Sequence, residues 1–280
     1  MKLLDPSFNA PDVLYNNIQK PIDSYEPPDL AQSHVEELYQ LTSQILDSNF
    51  RTQIQYDFAS RYCEMYFAGV ILDRLKLEIT HPSDEGPDFF LSDFNCWVEV
   101  TKATDGDESS ENKIPQPILE EVNDYPENEI ILRLSNSFAS KANKLKTDIE
   151  KGIIQPHQAV ILCISGGWLS DRIPSYAVGS YPQIVKALLP MGDQVFWIGQ
   201  SIKEIVKTEH KYREGVLKKT NSGQALINTD FFLSSEYSYI SAVIYSYANA
   251  FNPISRKKWG CDFFYNSQSN GNQQTSDRFY

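Results

Sequence analysis

Residues 86–104 read GPDFFLSDFNCWVEVTKAT, and the fold turns on this stretch. Gly86-Pro87 is a turn pair, so Asp88 enters a short apolar strand, GPDFFLS, directly from a turn. The segment CWVEVTKAT then alternates. In a strand successive side chains point to opposite faces, so Trp97, Glu99 and Thr101 share one face and Val98, Val100 and Lys102 the other. A carboxylate between apolar neighbours in mid-strand is costly unless it is paired or binds a cation. Two adjacent strands carrying Asp88 and Glu99 can converge on one such ion.

Upstream, Phe50 to Leu75 has a continuous helical pattern, apolar on most sides. At about 100° per residue, Phe67, Ala68, Ile71 and Leu75 fall within roughly 60° of Glu64, which sets a carboxylate on an apolar stripe. Glu64 is either a third member of the acidic set or a core-edge ion pair with Arg61 or Arg74. Between this helix and Gly86, LKLEITH has the alternation of a further short strand.

Downstream, an acidic segment at 104–128 holds Pro115, Pro117 and Pro126 and few apolar anchors, which predicts a mobile loop beside the acidic set. A helix is expected over 130–151. AVILCIS at 159–165 is a continuous apolar run, the mark of a central strand covered on both faces. Residues 170–192 read as loop with a short helix, and QVFWIG and ISAVIYSYANAF as strands.

At the N-terminus, five prolines within residues 1–28 suggest an irregular arm over the surface, followed by a helix at 29–49 with Asp29 as its N-cap. The polar tail after Asn266 is expected to fray. The domains expected are 1–50 (arm and helix), 51–265 (main domain) and 266–280 (tail). The order α-β-β-β-α-β is that of an α/β sandwich around a central mixed sheet.

The chain of 280 residues is 41% hydrophobic and 22% charged, ordinary for a globular protein. Its net charge of -12 argues against tight non-specific nucleic-acid binding as its main task, since that needs many phosphate contacts by Lys and Arg. It leaves room for an enzyme with a local basic strip. No stretch reaches the about 18 apolar residues of a membrane span, and MKLLDPSFNAPD lacks the apolar core of a secretory signal, so cytoplasmic residence without a membrane partner is expected.

Cys63, Cys96, Cys163 and Cys261 have no metal-ligand spacing and read as free buried thiols. His34, His81, His157 and His210 are scattered. Ser165-Gly166-Gly167 lacks the Lys-Ser/Thr pair of a phosphate loop and reads as a turn. SRKKWG and KKTNSG are small basic clusters, either phosphate contacts or solvated loops.

The ordered set RYCEMYFAGVIL, GPDFFL and CWVEVTKAT, within roughly residues 55–165, resembles the PD-(D/E)xK nuclease superfamily, in which a helix Glu precedes a hairpin carrying Asp and then (D/E)-x-K. Glu64, Asp88 and Glu99 match that pattern. The resemblance implies a restriction-endonuclease-like sandwich, a Mg²⁺ or Mn²⁺ ion held by these three residues, and nucleic acid, DNA or RNA, as substrate.

The chain departs from the pattern at Thr101, which stands where the lysine of the catalytic set belongs. Lys102 follows one place late and faces the other side. Members of the superfamily also carry this lysine on the next helix. There Lys141 lies roughly 50° from the centre of the stripe Leu134, Phe138, Leu145 and Ile149, against about 110° for Lys144 and about 90° for Lys146. Lys141 is thus the expected catalytic base-side cation, with Arg133 and Ser137 on the same side as substrate contacts. Its alternative is a lysine that snorkels from the core edge into water. Two other functions stay open: an inactive nuclease fold serving as an interaction module, and a metallohydrolase acting on another phosphorylated substrate.

Overall fold

A computed structural model of the chain describes residues 2–19, 28–81, 85–116, 118, 121, 124–170, 181–199, 205–251 and 260–269. Its centre is β3 (Ala159–Ser165), every residue of which is buried. On one side it pairs in parallel with β2 (Cys96–Lys102), and β2 pairs antiparallel with β1 (Phe89–Leu91). On the other side, β8 (Ala242–Ser246) is parallel to β3 and β9 (Cys261–Tyr265) closes the edge antiparallel to β8. The five strands form one mixed sheet in the order β1-β2-β3-β8-β9, with antiparallel pairs at both edges.

Strand alternation divides the core in two. Cys96, Val98 and Val100 of β2, with Ile161 and Cys163 of β3, face a cluster built from α2 (Pro28–Thr42), α4 (Phe58–Gly69) and the N-terminal segment. Trp97 of β2 and Val160, Leu162 and Ile164 of β3 face α5 (Glu127–Glu150) and α6 (Gln183–Leu188). Helix α5 buries Ile130, Leu134, Phe138, Ala142 and Leu145, an i, i+4 stripe, against this second face. Glu127 and Glu129 in its first turn suit the positive end of the helix. The result is a mixed α/β sandwich.

Several expectations are corrected. The N-terminal segment does not lie over the surface: Leu3, Leu4, Tyr15 and Ile18 belong to the first core. Asp12 fixes it there. Its Oδ1 accepts from Leu14 and Tyr15 at the start of α1 (Val13–Gln19), and its Oδ2 accepts from Phe58 N at the start of α4. The single helix expected over 50–75 is broken. A short α3 (Phe50–Gln53) ends before Asp57, whose side chain accepts from Ser60 N and caps α4. The Asp47 and Asp57 side chains accept from the backbone N–H of Asn49 and Ser60, local bonds that set the ends of α3 and α4 where apolar periodicity ran on. After Gly69 a π-helical turn at Val70–Arg74 ends the helix.

LKLEITH contributes a single bridge, Thr80 to Phe90, instead of a strand. The 104–128 segment has anchors that its composition hid. Ile114 is buried in the second core, Asp105 Oδ1 accepts from Ser170 N at 2.8 Å, and Asn112 exchanges two hydrogen bonds with the backbone of Lys219. QVFWIG lies in β4 (Met191–Ile198), which pairs with β5 (Ile205–Tyr212) outside the main sheet, and β6 (Gly215–Thr220) pairs with β7 (Gly223–Asn228). KKTNSG spans the end of β6, the Asn221-Ser222 turn and the first residue of β7.

The four cysteines are free and buried, as expected. The side chain of Asp29, most of SRKKWG and the tail from 270 onward lie outside the described residues. No helix among the described residues is long and apolar enough to cross a membrane.

Tyr15 tests whether the N-terminal segment is part of the core. It is fully buried and its hydroxyl donates to Leu3 O at 3.2 Å. Tyr15→Ala is expected to cost about 3–5 kcal/mol in urea unfolding, the range for emptying an aromatic core site. A loss below about 0.5 kcal/mol, typical of a surface position, would return the segment to the surface.

Candidate active site

Asp88 lies one residue before β1, and the antiparallel register of β1 and β2, Phe89 opposite Val98, continues to set it opposite Glu99. Its Oδ2 accepts from Val100 N at 2.7 Å, so the carboxylate stands in for a strand partner beyond the end of β1. Gly86, at φ +107°, makes the turn before it; a side chain at this φ is strained, and a Cβ would also meet Ile153 Cγ2 at 2.9 Å.

Glu99 has 0% exposure and projects to the α5 face, as alternation predicts. Both of its oxygens are engaged: Lys141 Nζ donates to Oε1 at 2.5 Å and Lys144 Nζ to Oε2 at 2.6 Å. Lys144 also donates to Gly86 O at 3.0 Å and so ties the turn carrying Asp88 to helix α5. Sequence reasoning missed Lys144. The helical projection counted only distance from the apolar stripe, whereas Lys141 and Lys144 are i, i+3 neighbours and both stems are long enough to bend toward one buried charge.

Glu64 projects from α4 and pairs with Arg61 at 2.8 Å; Arg61 also reaches Asp47 at 3.4 Å. The pairing predicted as its alternative role therefore exists, with Arg61 and not Arg74, whose guanidinium donates to Cys261 O. Lys102 lies on the other face from Glu99 and pairs with Asp57 at 2.6 Å.

Glu64, Asp88, Thr101, Lys102 and Lys141 line one cleft of about 630 Å³, together with Arg61, Asp57, Ser60, Val100, Thr104, Tyr56, Gln53 and Thr52. Arg133 and Ser137 do not line it. Arg133 Nε donates to Thr104 O at 2.7 Å, which makes it a brace for the following loop, and Ser137 is half-buried farther along α5. The helix stripe 133–137–141 is real, but only its last member reaches the cleft.

The carboxylates repel one another electrostatically. Burial, then the neighbouring Asp88, pushes Glu64 up to about 8 despite Arg61. Burial and the charge of Glu99 push Asp88 up to about 6, against the pull of Val100 N–H and the two lysines. Burial works to lower Lys141, but Glu99, then Asp88 and Glu64, outweigh it and its pKa is raised.

No family model, curated protein or solved structure matches the chain. Among the described residues no three His, Cys, Asp or Glu side chains are gathered so as to hold a metal ion. The three carboxylates expected to share an ion are thus not caged around one point, because Glu99 is turned onto its lysines.

The raised carboxyls set a pH dependence. A carboxyl whose folded pKa lies above its unfolded value holds its proton longer in the folded state, so stability falls as pH rises between the two. For Glu64 that window runs from 4.5 to about 8, and for Asp88 from 3.8 to about 6. Relative to wild type, Glu64→Gln and Asp88→Asn are expected to gain stability as pH rises through these windows, measured by urea unfolding at a series of pH values. A constant difference across the whole range would show that the carboxyls titrate normally.

Proposed function

We propose that the cleft hydrolyses phosphodiester bonds of nucleic acid with the help of Mg²⁺ or Mn²⁺. The observation that carries this reading is the cleft wall itself: Asp88, Glu64 and Lys141 line one cavity, with Glu99 directly behind Lys141. The sheet order β1-β2-β3-β8-β9 and the α5 crossover between parallel β2 and β3 support a restriction-endonuclease-like arrangement, the finer form of the sandwich. Free thiols throughout fit a cytoplasmic protein.

The donor set fits a hard cation. Mg²⁺ takes one or two carboxylates and completes its shell with water and phosphate oxygens. Among the described residues no hydrogen bond engages Asp88 Oδ1 or Glu64 Oε1, so each keeps an oxygen for an ion. Asp88 and Glu64, once ionised, would hold it, while both oxygens of Glu99 are taken by Lys141 and Lys144. When bound, such an ion supplies a water of lowered pKa and offsets charge on the phosphate.

The chain's own groups do the rest. Val100 N–H fixes the direction of the Asp88 carboxylate. An ammonium has three donors, and Lys141 spends one on Glu99, which leaves others for a phosphate oxygen carrying developing negative charge. Thr101, at the position where the motif has lysine, offers a hydroxyl at the cleft wall.

A second reading has one observation in its favour. Both Glu99 oxygens are satisfied by lysines, as in a buried ion cluster that serves folding alone. On that reading the protein is an inactive nuclease fold used as an interaction module.

Cleavage of plasmid and oligonucleotide substrates by purified protein separates the two. With Mg²⁺ or Mn²⁺, wild type should cut, Asp88→Asn and Lys141→Ala should lose about 10²-fold or more in kcat, and Lys102→Ala should keep most activity. No metal-dependent cleavage by wild type favours the interaction module. Metal binding has its own signature: millimolar Mg²⁺ or Mn²⁺ should raise the melting temperature of wild type and leave that of Asp88→Asn nearly unchanged. Equal shifts in both proteins would exclude Asp88 as a ligand.

A further inference from the structure

The substrate class of this cleft follows from the part of its wall that carries Tyr56, and the inference rests on the nuclease reading above. That part is the short link between α3 and α4. It is held firmly: Ile54 is buried, Asp12 N donates to Gln55 O at 3.0 Å, and Tyr56 N and Asp57 N both donate to Gln53 O at 3.0 Å. Tyr56 stands on this fixed link with 64% of its surface exposed. It is the one aromatic among the described residues that line the cleft. No hydrogen bond, ring contact or cation among the described residues engages its side chain.

An exposed, unpartnered aromatic held rigidly beside a phosphate-cleaving site is a platform for a flat π-face. We propose that Tyr56 stacks on an unpaired nucleobase next to the scissile phosphate, so that the cleft takes single-stranded nucleic acid in preference to duplex.

Two further observations agree. A cavity of about 630 Å³ is of small-ligand size, with room for a nucleotide or two. A protein of net charge -12 is poorly suited to the long phosphate footprint by which duplexes are held, and a stacked base adds affinity beside the few phosphate contacts the cleft can make. Gln53, Thr52 and Ser60 on the same wall add uncharged hydrogen-bonding groups. A stacked base leaves the backbone free to pass across Lys141 and Asp88.

The test is binding by the Asp88→Asn protein, which on the parent reading holds nucleic acid without cutting it. Fluorescence anisotropy is measured with labelled oligothymidylate, oligouridylate and a blunt DNA duplex of equal length. Single strands should bind at least about 10-fold tighter than duplex. Adding Tyr56→Ala should weaken single-strand binding roughly 5- to 100-fold, the range for losing one stacked base. Tyr56→Trp in its place should restore it. Because Tyr56 is exposed, the melting temperature of the alanine variant should stay with its parent, so a binding loss is not unfolding. The ratio of the two single strands shows whether the sugar matters.

Equal or tighter duplex binding, an alanine variant that binds as well as its parent, or no binding of any strand would each overturn the stacking role. The two proposals fail separately. Metal-dependent cleavage by wild type that is indifferent to Tyr56 defeats the stacking inference and leaves the nuclease reading. Tyr56-dependent single-strand binding without cleavage does the reverse.

Discussion

The buried carboxylate of Glu99 constrains the arrangement around it. An isolated charge at 0% exposure in a sheet interior is not tolerable, and its attraction to a partner must offset a desolvation cost of several kcal/mol. Two lysines from one helix meet that demand, and in doing so they fix the rotation of α5 about its axis relative to β2. The buried stripe Leu134, Phe138, Ala142 and Leu145 packs α5 on the sheet, and the ion triad adds a polar tie from α5 to β2. Through Lys144 and Gly86 O it extends to the turn before β1, so the position of Asp88 depends on the same charge.

That arrangement gathers negative charge on one side of the sheet edge. Burial first, and then the charge of Glu99 on Asp88 and of Asp88 on Glu64, pushes two buried carboxyls above the ordinary range. Positions that carry such a penalty are characteristic of sites where the charge is used. The Arg61 pair on Glu64 and the Val100 N–H on Asp88 each lessen the repulsion without removing it.

What the sequence made legible was what local periodicity controls. Alternation in CWVEVTKAT assigns Glu99 to the α5 face and Lys102 to the other, and AVILCIS is a central strand because both of its faces are covered. The same alternation, with the helical spacing of α5, selects Lys141. The misses have a common origin in partners that are distant along the chain. Leu3 and Tyr15 pack against α4, Asp12 reaches Phe58 N, and Asn112 meets Lys219, and no window of sequence contains both members of such a pair. Lys144 was missed for a related reason: a projection fixes where a Cβ lies, while a lysine follows the nearest buried charge. Strand β9 and the hairpin β6–β7 carry mixed polarity because their faces are partly exposed, so they gave no clean period-two signal.

The charges of the cleft lining also limit how a phosphate can enter. Its cations are Arg61, Lys102 and Lys141, and its anions are Asp57, Glu64 and Asp88. With every carboxyl ionised, three against three leaves no formal net charge, and each cation already has an acidic partner: Glu64 and Asp47 for Arg61, Asp57 for Lys102, Glu99 for Lys141. A phosphodiester entering such a cleft must compete with carboxylates for every cation it meets. Two contributions can make entry favourable under the nuclease reading. A divalent ion, were Asp88 and Glu64 to hold one, would supply positive charge for the phosphate. A base stacked on Tyr56 adds affinity that does not depend on charge at all. On the nuclease reading, the neutral lining makes a bound cation and a stacked base complementary contributions to holding a polyanion.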